Sequence, residues 1–218
     1  MNPFTRLNAT SKTSSRSLLT TLGLAALAPS AYAHHPMGGQ TPETFTQGLL
    51  SGFGHPIIGI DHFAFLIVIA LLSVTLAGRA RYLVPAAFVA ATVGGTLYHL
   101  GAADLPLTET VIALSVLLGG LSVLLKGSTS ALLLALLLGA AGVFHGYAYG
   151  EAIIGAEASP MLSYLLGFSV IQYAIIIAAI RLVAVIANRS KKLHGLAVRL
   201  GGVSTAAVGA VFLGLSLT

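Results

Sequence analysis

Two histidines and a carboxylate stand at the beginning of a long apolar stretch. The segment from His55 to His62 reads H-P-I-I-G-I-D-H and runs directly into F-A-F-L-I-V-I-A-L-L. In a helix, residues seven apart are two turns apart, so His55 and His62 would face one side with Asp61 beside them. Imidazole nitrogen and carboxylate oxygen are common ligands of divalent transition metals. The segment therefore predicts a metal site.

Pro56 and Gly59 make an unbroken helix through this segment less favourable. They are typical of a re-entrant or unwound stretch, which a membrane tolerates only where protein or water covers the backbone. A structural alternative uses the same residues. In that alternative Asp61 caps a helix, and both histidines lie at the membrane interface.

A second group of polar residues ends a later apolar stretch. From Phe144 to Glu151 the chain reads F-H-G-Y-A-Y-G-E. His145 and Tyr149 are four residues apart and share a helix face, with Glu151 further along. Glycines at positions 142, 146 and 150 recur at every fourth place, which lets another helix approach closely. The motif predicts a second part of the metal site, or alternatively only a tight helix contact with interfacial tyrosines.

Three further polar residues are weaker candidates for a role at a site. His99 ends the second apolar stretch, and Glu109 begins the third, where its charge also suits a helix N-terminus. Gln172 lies inside the fifth stretch, where it would bond across helices or line a path. The chain has no cysteine, so its donors are nitrogen and oxygen, which suit nickel, cobalt, zinc or manganese better than copper(I).

The rest of the sequence predicts that membrane helices carry these residues. Of 218 residues, 56% are hydrophobic and 8% are charged, against about 25% charged in soluble domains, and the mean hydropathy is +0.93. We expect an all-α membrane protein whose residues 55–218 form a six-transmembrane-helix bundle in the lipid bilayer. Its basic residues do not cluster with aromatic ones, so no nucleic-acid partner is expected. The six apolar stretches are Ile58 to Ala77, Tyr82 to Gly101, Leu107 to Leu125, Ala131 to Tyr149, Met161 to Ile180 and Leu196 to Leu215.

Residues 1–33 have the pattern of a cleavable secretory signal peptide. Three basic residues precede an apolar run that is too short to span a bilayer, and A-Y-A ends the segment. Cleavage there would leave His34 and His35 at the new N-terminus as further candidate metal ligands. Residues 34–54 would then form an outward segment. The alternative is an uncleaved first helix.

The distribution of charge predicts which way the helices point. Lys and Arg of short loops stay cytoplasmic, and the basic residues after the leader lie around the breaks after the first, third and fifth stretches. Both mature termini are then expected on the periplasmic side of a bacterial inner membrane. Neutral imidazole has little topological preference, so the gathering of histidines beside outward carboxylates suggests cation capture. The outward histidines are His34, His35, His55, His62, His99 and His145.

Three segments together resemble the HupE/UreJ family of membrane proteins. They are H-P-I-I-G-I-D-H, L-P-L-T-E-T-V-I-A-L-S-V and F-H-G-Y-A-Y-G-E, and the resemblance covers essentially the whole mature chain. The family is associated with nickel-dependent hydrogenase and urease, and its members are regarded as nickel or cobalt permeases. Tyr149 departs from the pattern, because many members have a second histidine there. The positions that the resemblance implies for metal are His55, Asp61, His62, Glu109, His145 and Glu151.

The resulting hypothesis is a permease that takes nickel or cobalt inward through a His/Asp/Glu site near the outer face, with zinc as a further candidate ion. Two alternatives use the same residues: an intramembrane zinc-dependent hydrolase, and a non-transporting metal-binding adaptor of an uptake complex. The chain has no G-x-x-x-x-G-K-S/T motif, so P-loop ATP hydrolysis is not expected. We expect no enzyme activity and no tightly bound cofactor. A homo-oligomer and partners in metalloenzyme maturation are both compatible with the sequence.

Overall fold

The computed structural model describes residues 40–101, 104–125 and 129–218, and all regular secondary structure in these ranges is helical. A 3-10 turn, Glu151–Ile153, follows the fifth helix. The prediction of an all-α chain is confirmed, whereas the predicted signal peptide lies outside the described residues. The helices are α1 (Phe45–Ile58), α2 (Ile60–Ser73), α3 (Ala80–Leu100), α4 (Thr108–Leu124), α5 (Ala131–Gly150), α6 (Ala158–Arg189) and α7 (Lys191–Ser216).

Four helices of the described chain are long and apolar enough to cross a membrane: α3, α5, α6 and α7. Helices α1 and α2 meet the same criteria only together, and they bend by 75° at their junction, as in a broken span or a re-entrant loop. Helix α4 is apolar but has 17 residues, against about 20 for a typical span. The chain is therefore a helical membrane protein, and the number of six spans stays a prediction.

Two predicted boundaries differ from the structure. The first span is predicted from Ile58, but helix α1 already begins at Phe45, where the Thr44 side chain and the third residue of the helix cap each other. The break predicted between the fifth and sixth stretches is present but shorter than expected, because Ser190 alone separates α6 from α7. Lys and Arg are good helix formers, so a helix can carry them past the bilayer surface without ending.

Glycines on α5 allow a close approach to α3. A Cβ at Gly146 would overlap the backbone of Thr92, and a Cβ at Gly142 would lie 2.9 Å from the Phe88 carbonyl oxygen. The predicted close contact of these glycines with another helix is confirmed. Two other helix pairs, α1 with α6 and α4 with α7, also pack along each other. Their contact glycines are Gly48, Gly52 and Gly167 in the first pair, and Gly120 and Gly209 in the second.

The apolar core lies among α2, α3, α4, α5 and α6. At its centre Leu66, Ile69, Val116 and Ile176 are 0% exposed. Leu, Ile and Val side chains also cover the outer faces of the helices. In a membrane these outer side chains meet lipid tails, so their exposure in the isolated chain is the expected pattern.

Gly146→Ala is expected to destabilise the protein, because the new Cβ would overlap the backbone of Thr92 on α3. Overpacking of this kind costs about 1–3 kcal/mol. Gly139→Ala on the same helix is the matched control, since a Cβ there meets nothing within 4 Å. Circular dichroism of thermal unfolding in detergent should show a lower midpoint for Gly146→Ala alone. Equal midpoints for the two variants would contradict the close packing of α3 and α5.

Candidate metal site

The helix break at Gly59 brings His55 and His62 together. Gly59 has φ −67° and ψ 100°, so it leaves the helical conformation, and its N–H bonds the His55 carbonyl oxygen at 3.0 Å. A Cβ at Gly59 would lie 2.7 Å from Cδ2 of His62, so a larger residue would displace that imidazole. The two rings lie 5.8 Å apart between centroids. The predicted interruption is confirmed, but the stacking of both histidines along one continuous helix is wrong.

Asp61 stabilises the first turn of α2. Its Oδ1 accepts the backbone N–H of His62 at 2.8 Å, which satisfies one of the donors that a helix start leaves open. The N-cap position itself is Gly59, which has no side-chain capping bond, so Asp61 acts from inside the first turn and is not the capping residue of the structural alternative. His55 and His62 are each 1% exposed, so both lie inside the protein, and their depth in the bilayer stays a prediction.

His145 reaches the same place from α5. Its Nδ1 lies 2.8 Å from Nδ1 of His62, and its ring stacks on Phe65 with centroids 4.5 Å apart and planes 13° apart. His145 is 1% exposed. Three helices therefore bring His55, His62 and His145 together in the interior, and we call these residues the histidine cluster.

The hydrogen bonds around His145 determine which of its nitrogens carries the proton. Ser115 Oγ lies 2.7 Å from the Ile112 carbonyl oxygen, which only accepts, so the serine hydroxyl donates there. His145 Nε2, at 3.0 Å from the same Oγ, must then be the donor to serine. Neutral His145 has its lone pair on Nδ1, where it accepts from Nδ1–H of His62. Neutral His62 consequently carries its lone pair on Nε2.

A parallel chain of hydrogen bonds orients His55. The Tyr164 hydroxyl lies 2.8 Å from the Tyr149 carbonyl oxygen and therefore donates its proton to it. His55 Nδ1, 2.7 Å from the same hydroxyl, is then the donor. Neutral His55 carries its lone pair on Nε2, as His62 does. A lone pair on a ring nitrogen is what an imidazole needs to bind a metal ion.

Tyr149 packs against both of these histidines. Its ring centroid lies 4.8 Å from that of His55 and 4.5 Å from that of His62, and the residue is 0% exposed. Its hydroxyl is buried without a hydrogen-bond partner in the described part of the chain. Tyr149 thus contributes a buried polar oxygen with unused bonding capacity, on a ring that packs against the cluster.

The remaining predicted ligands lie elsewhere or outside the described ranges. Glu109 and Glu151 are exposed, and His99 is half-buried with its ring centroid 4.1 Å from that of Tyr147. Across residues 40–101, 104–125 and 129–218, no three His, Asp or Glu side chains already form a metal-binding geometry. Metal binding by the predicted residues stays a prediction. His34 and His35 lie outside the described residues.

A cavity of about 500 Å³ opens at the surface, away from the histidine cluster. It is lined by the segment before α1 and the loop before α6, including Glu43 and Glu157. None of the three clustered histidines lines it. The three clustered histidines are each 1% exposed, so protein encloses the cluster in this structure.

Comparison with known proteins agrees with the motifs that form the cluster. A family model described as HupE / UreJ protein matches residues 22–212. The chain belongs to the HupE/UreJ family. Protein HupE of Rhizobium leguminosarum bv. viciae is 33% identical to it over 148 residues, which is 68% of this chain and 74% of that relative. No solved structure matches this chain.

In this HupE/UreJ chain, three residues that the sequence did not single out hold the histidines. Phe65 stacks on His145. Ser115 Oγ accepts a hydrogen bond from Nε2–H of His145, and the Tyr164 hydroxyl accepts one from Nδ1–H of His55. The sequence contained one indication of the two polar residues, because hydroxyl groups inside apolar spans need partners. Which partners they would find depends on helix pairing.

Tyr164→Phe removes the hydroxyl that accepts the Nδ1 proton of His55, so we expect His55 to become a mixture of its two neutral forms. Nitrogen-15 NMR of histidine-labelled, metal-free protein separates protonated from unprotonated ring nitrogens, and a His55→Gln sample assigns the resonance. Tyr173→Phe is the control, because that hydroxyl makes only a 3.5 Å contact with the Tyr82 carbonyl oxygen. An unaltered His55 spectrum in Tyr164→Phe would contradict the assigned hydrogen bonds.

Proposed function

We propose that this protein is a permease that takes nickel or cobalt ions inward across the membrane through the histidine cluster. The observation that carries the proposal is the meeting of His55, His62 and His145 in the interior of a membrane protein, with Asp61 adjacent. Ionisable side chains at membrane depth are costly and typically mark ion pathways. Membership of a family associated with nickel and cobalt uptake supports the same function.

The donor set suits a transported ion better than a permanently bound one. Nε2 of His55 and Nε2 of His62 supply two neutral imidazole ligands, and the Asp61 carboxylate supplies a negative charge beside them. Imidazole suits nickel, cobalt and zinc, and no thiolate is present to hold the ion tightly. Transport requires ligands that replace part of the water shell and still release the ion.

His145 becomes a ligand only when the cluster rearranges. Its Nδ1 lone pair accepts a hydrogen bond from His62 at 2.8 Å, so the ion would have to replace that bond. The competition between a metal bond and a histidine–histidine hydrogen bond weakens binding and favours release. It also agrees with the absence, among the described residues, of a ready three-ligand geometry.

The bent helix pair is the element that would open the site. Discontinuous membrane helices form the ion sites of many transporters, because their unwound backbone and helix ends face the ion. In the proposed orientation the break at Gly59 and the end of α5 lie towards the periplasm, with both mature termini on that side of a bacterial inner membrane. Movement of α1 relative to α2 would then admit the ion to the cluster.

His62→Ala is expected to lower nickel and cobalt uptake at least about tenfold, because metal sites lose about 10–100-fold in affinity even when only a supporting group is removed. Uptake is measured in vesicles containing the purified protein, with nickel, cobalt and zinc compared side by side. His194→Ala is the matched control, since His194 lies on α7 outside the cluster. Undiminished uptake by His62→Ala would disprove the proposed site.

The same vesicles separate the permease from the two alternatives. A metal-binding adaptor would bind nickel or cobalt in a His62-dependent manner without any flux into the vesicle lumen. A zinc-dependent hydrolase would likewise give no flux. Flux of the ion that depends on His62 is the result that the permease proposal requires.

A further inference from the structure

One face of helix α6 extends from the histidine cluster through the protein interior. Residues 164, 168, 172, 176 and 180 are spaced by four, so they lie above one another at intervals of about 6 Å. All five are at most 1% exposed. Tyr164 bonds His55, and Phe168 lies against Tyr149 with ring centroids 5.3 Å apart. The next turn carries Gln172.

Gln172 is the last polar residue on this face. Beyond it Ile176 and Ile180 belong to the apolar core. Gln172 is 0% exposed and lies in a helix long and apolar enough to span a membrane. Burial of a glutamine there is unfavourable unless both the oxygen and the nitrogen of its amide find partners. Its position places it between the histidine cluster and the apolar core.

The orientation of the Gln172 amide follows from its neighbour. Thr92 Oγ1 lies 2.7 Å from the Val89 carbonyl oxygen and therefore donates its proton to it. Thr92 has no second proton to give, so the Gln172 amide nitrogen must be the donor across the 3.3 Å contact between the two side chains. The amide oxygen points away from Thr92.

The amide oxygen of Gln172 is buried and has no hydrogen-bond partner in the described part of the chain. A buried acceptor without a donor is unfavourable in a protein interior, and more so at membrane depth. An oxygen of this kind, placed beside a route for cations, is suited to meet a positive ion or the water that travels with it.

The amide also lies close to the histidine cluster on the side of α3 and α5. The backbone of Thr92, its partner, is packed against Gly146, the residue after His145. Thr96, one turn along α3, donates to the carbonyl oxygens of both Thr92 and Gly146, at 3.0 and 2.7 Å. These contacts hold the Gln172–Thr92 pair beside the helix turn that carries His145.

We propose that the side-chain oxygen of Gln172 is a second binding point for the transported, partly hydrated divalent cation, one step further inward than the histidine cluster. The inference rests on the permease function proposed above. A neutral amide oxygen binds nickel and cobalt more weakly than imidazole does. An ion leaving the histidines would therefore find a ligand that lowers the barrier to release without trapping it.

The test separates binding at the histidines from passage beyond them. Gln172→Met keeps the length of the side chain and removes the oxygen, whereas Gln172→Glu keeps oxygen atoms at that position. In reconstituted vesicles Gln172→Met should lower the maximal rate of nickel uptake about tenfold while leaving KM within about twofold of wild type. Gln172→Glu should recover most of the rate. Ser169→Ala, a nearby polar residue on α6 whose hydroxyl bonds the Leu165 carbonyl, is the control and should leave both values unchanged.

Nickel binding to each purified variant, measured by calorimetry, completes the test. Unchanged affinity in Gln172→Met shows that the protein is folded and the histidine cluster intact. A wild-type uptake rate in Gln172→Met overturns the inference, and so does a loss of affinity equal to the loss of rate, since Gln172 would then only support the cluster. Absence of nickel and cobalt flux into vesicles that contain the wild-type protein would instead disprove the permease function itself.

Discussion

The bend at Gly59 is the constraint on which the site depends. Lipid offers no hydrogen bonds, so a helix can break at membrane depth only where its free backbone groups are satisfied by protein. Here the Gly59 N–H bonds the His55 carbonyl, the Gly59 carbonyl accepts from Phe63, and Asp61 accepts the N–H of His62. The same bend turns α2 so that the His62 ring meets a ring from α5.

Two chains of hydrogen bonds determine which ring nitrogen of each histidine carries the proton. One runs from His62 through His145 and Ser115 to a backbone carbonyl of α4, and the other runs from His55 through Tyr164 to a backbone carbonyl of α5. Each chain ends on an acceptor that cannot donate, which fixes the direction of every bond before it. The consequence is that neutral His55 and His62 both carry the ring proton on Nδ1.

Apolar side chains adjoin the cluster on one side. Phe65 and Phe88 lie against His145, and the core to which they belong otherwise consists of leucine, isoleucine, valine and alanine. The polar cluster is thus enclosed and lies beside an apolar core. Close glycine contacts pack α3 against α5 and α4 against α7, while the bent α1–α2 pair is the discontinuous element.

The sequence by itself determined the class of protein, the apolar helices and the chemistry of the donors, because hydropathy, the lack of cysteine and the order of polar residues are local properties. It also indicated the break, since Pro56 and Gly59 weaken a helix wherever they occur. Only the tertiary structure decided which residues meet. His55 and His62 converge across a bend and not along a helix face, Glu109 and Glu151 are exposed, and Ser115 and Tyr164 set the proton positions. These contacts depend on how distant helices pair, and no local pattern of residues specifies that pairing.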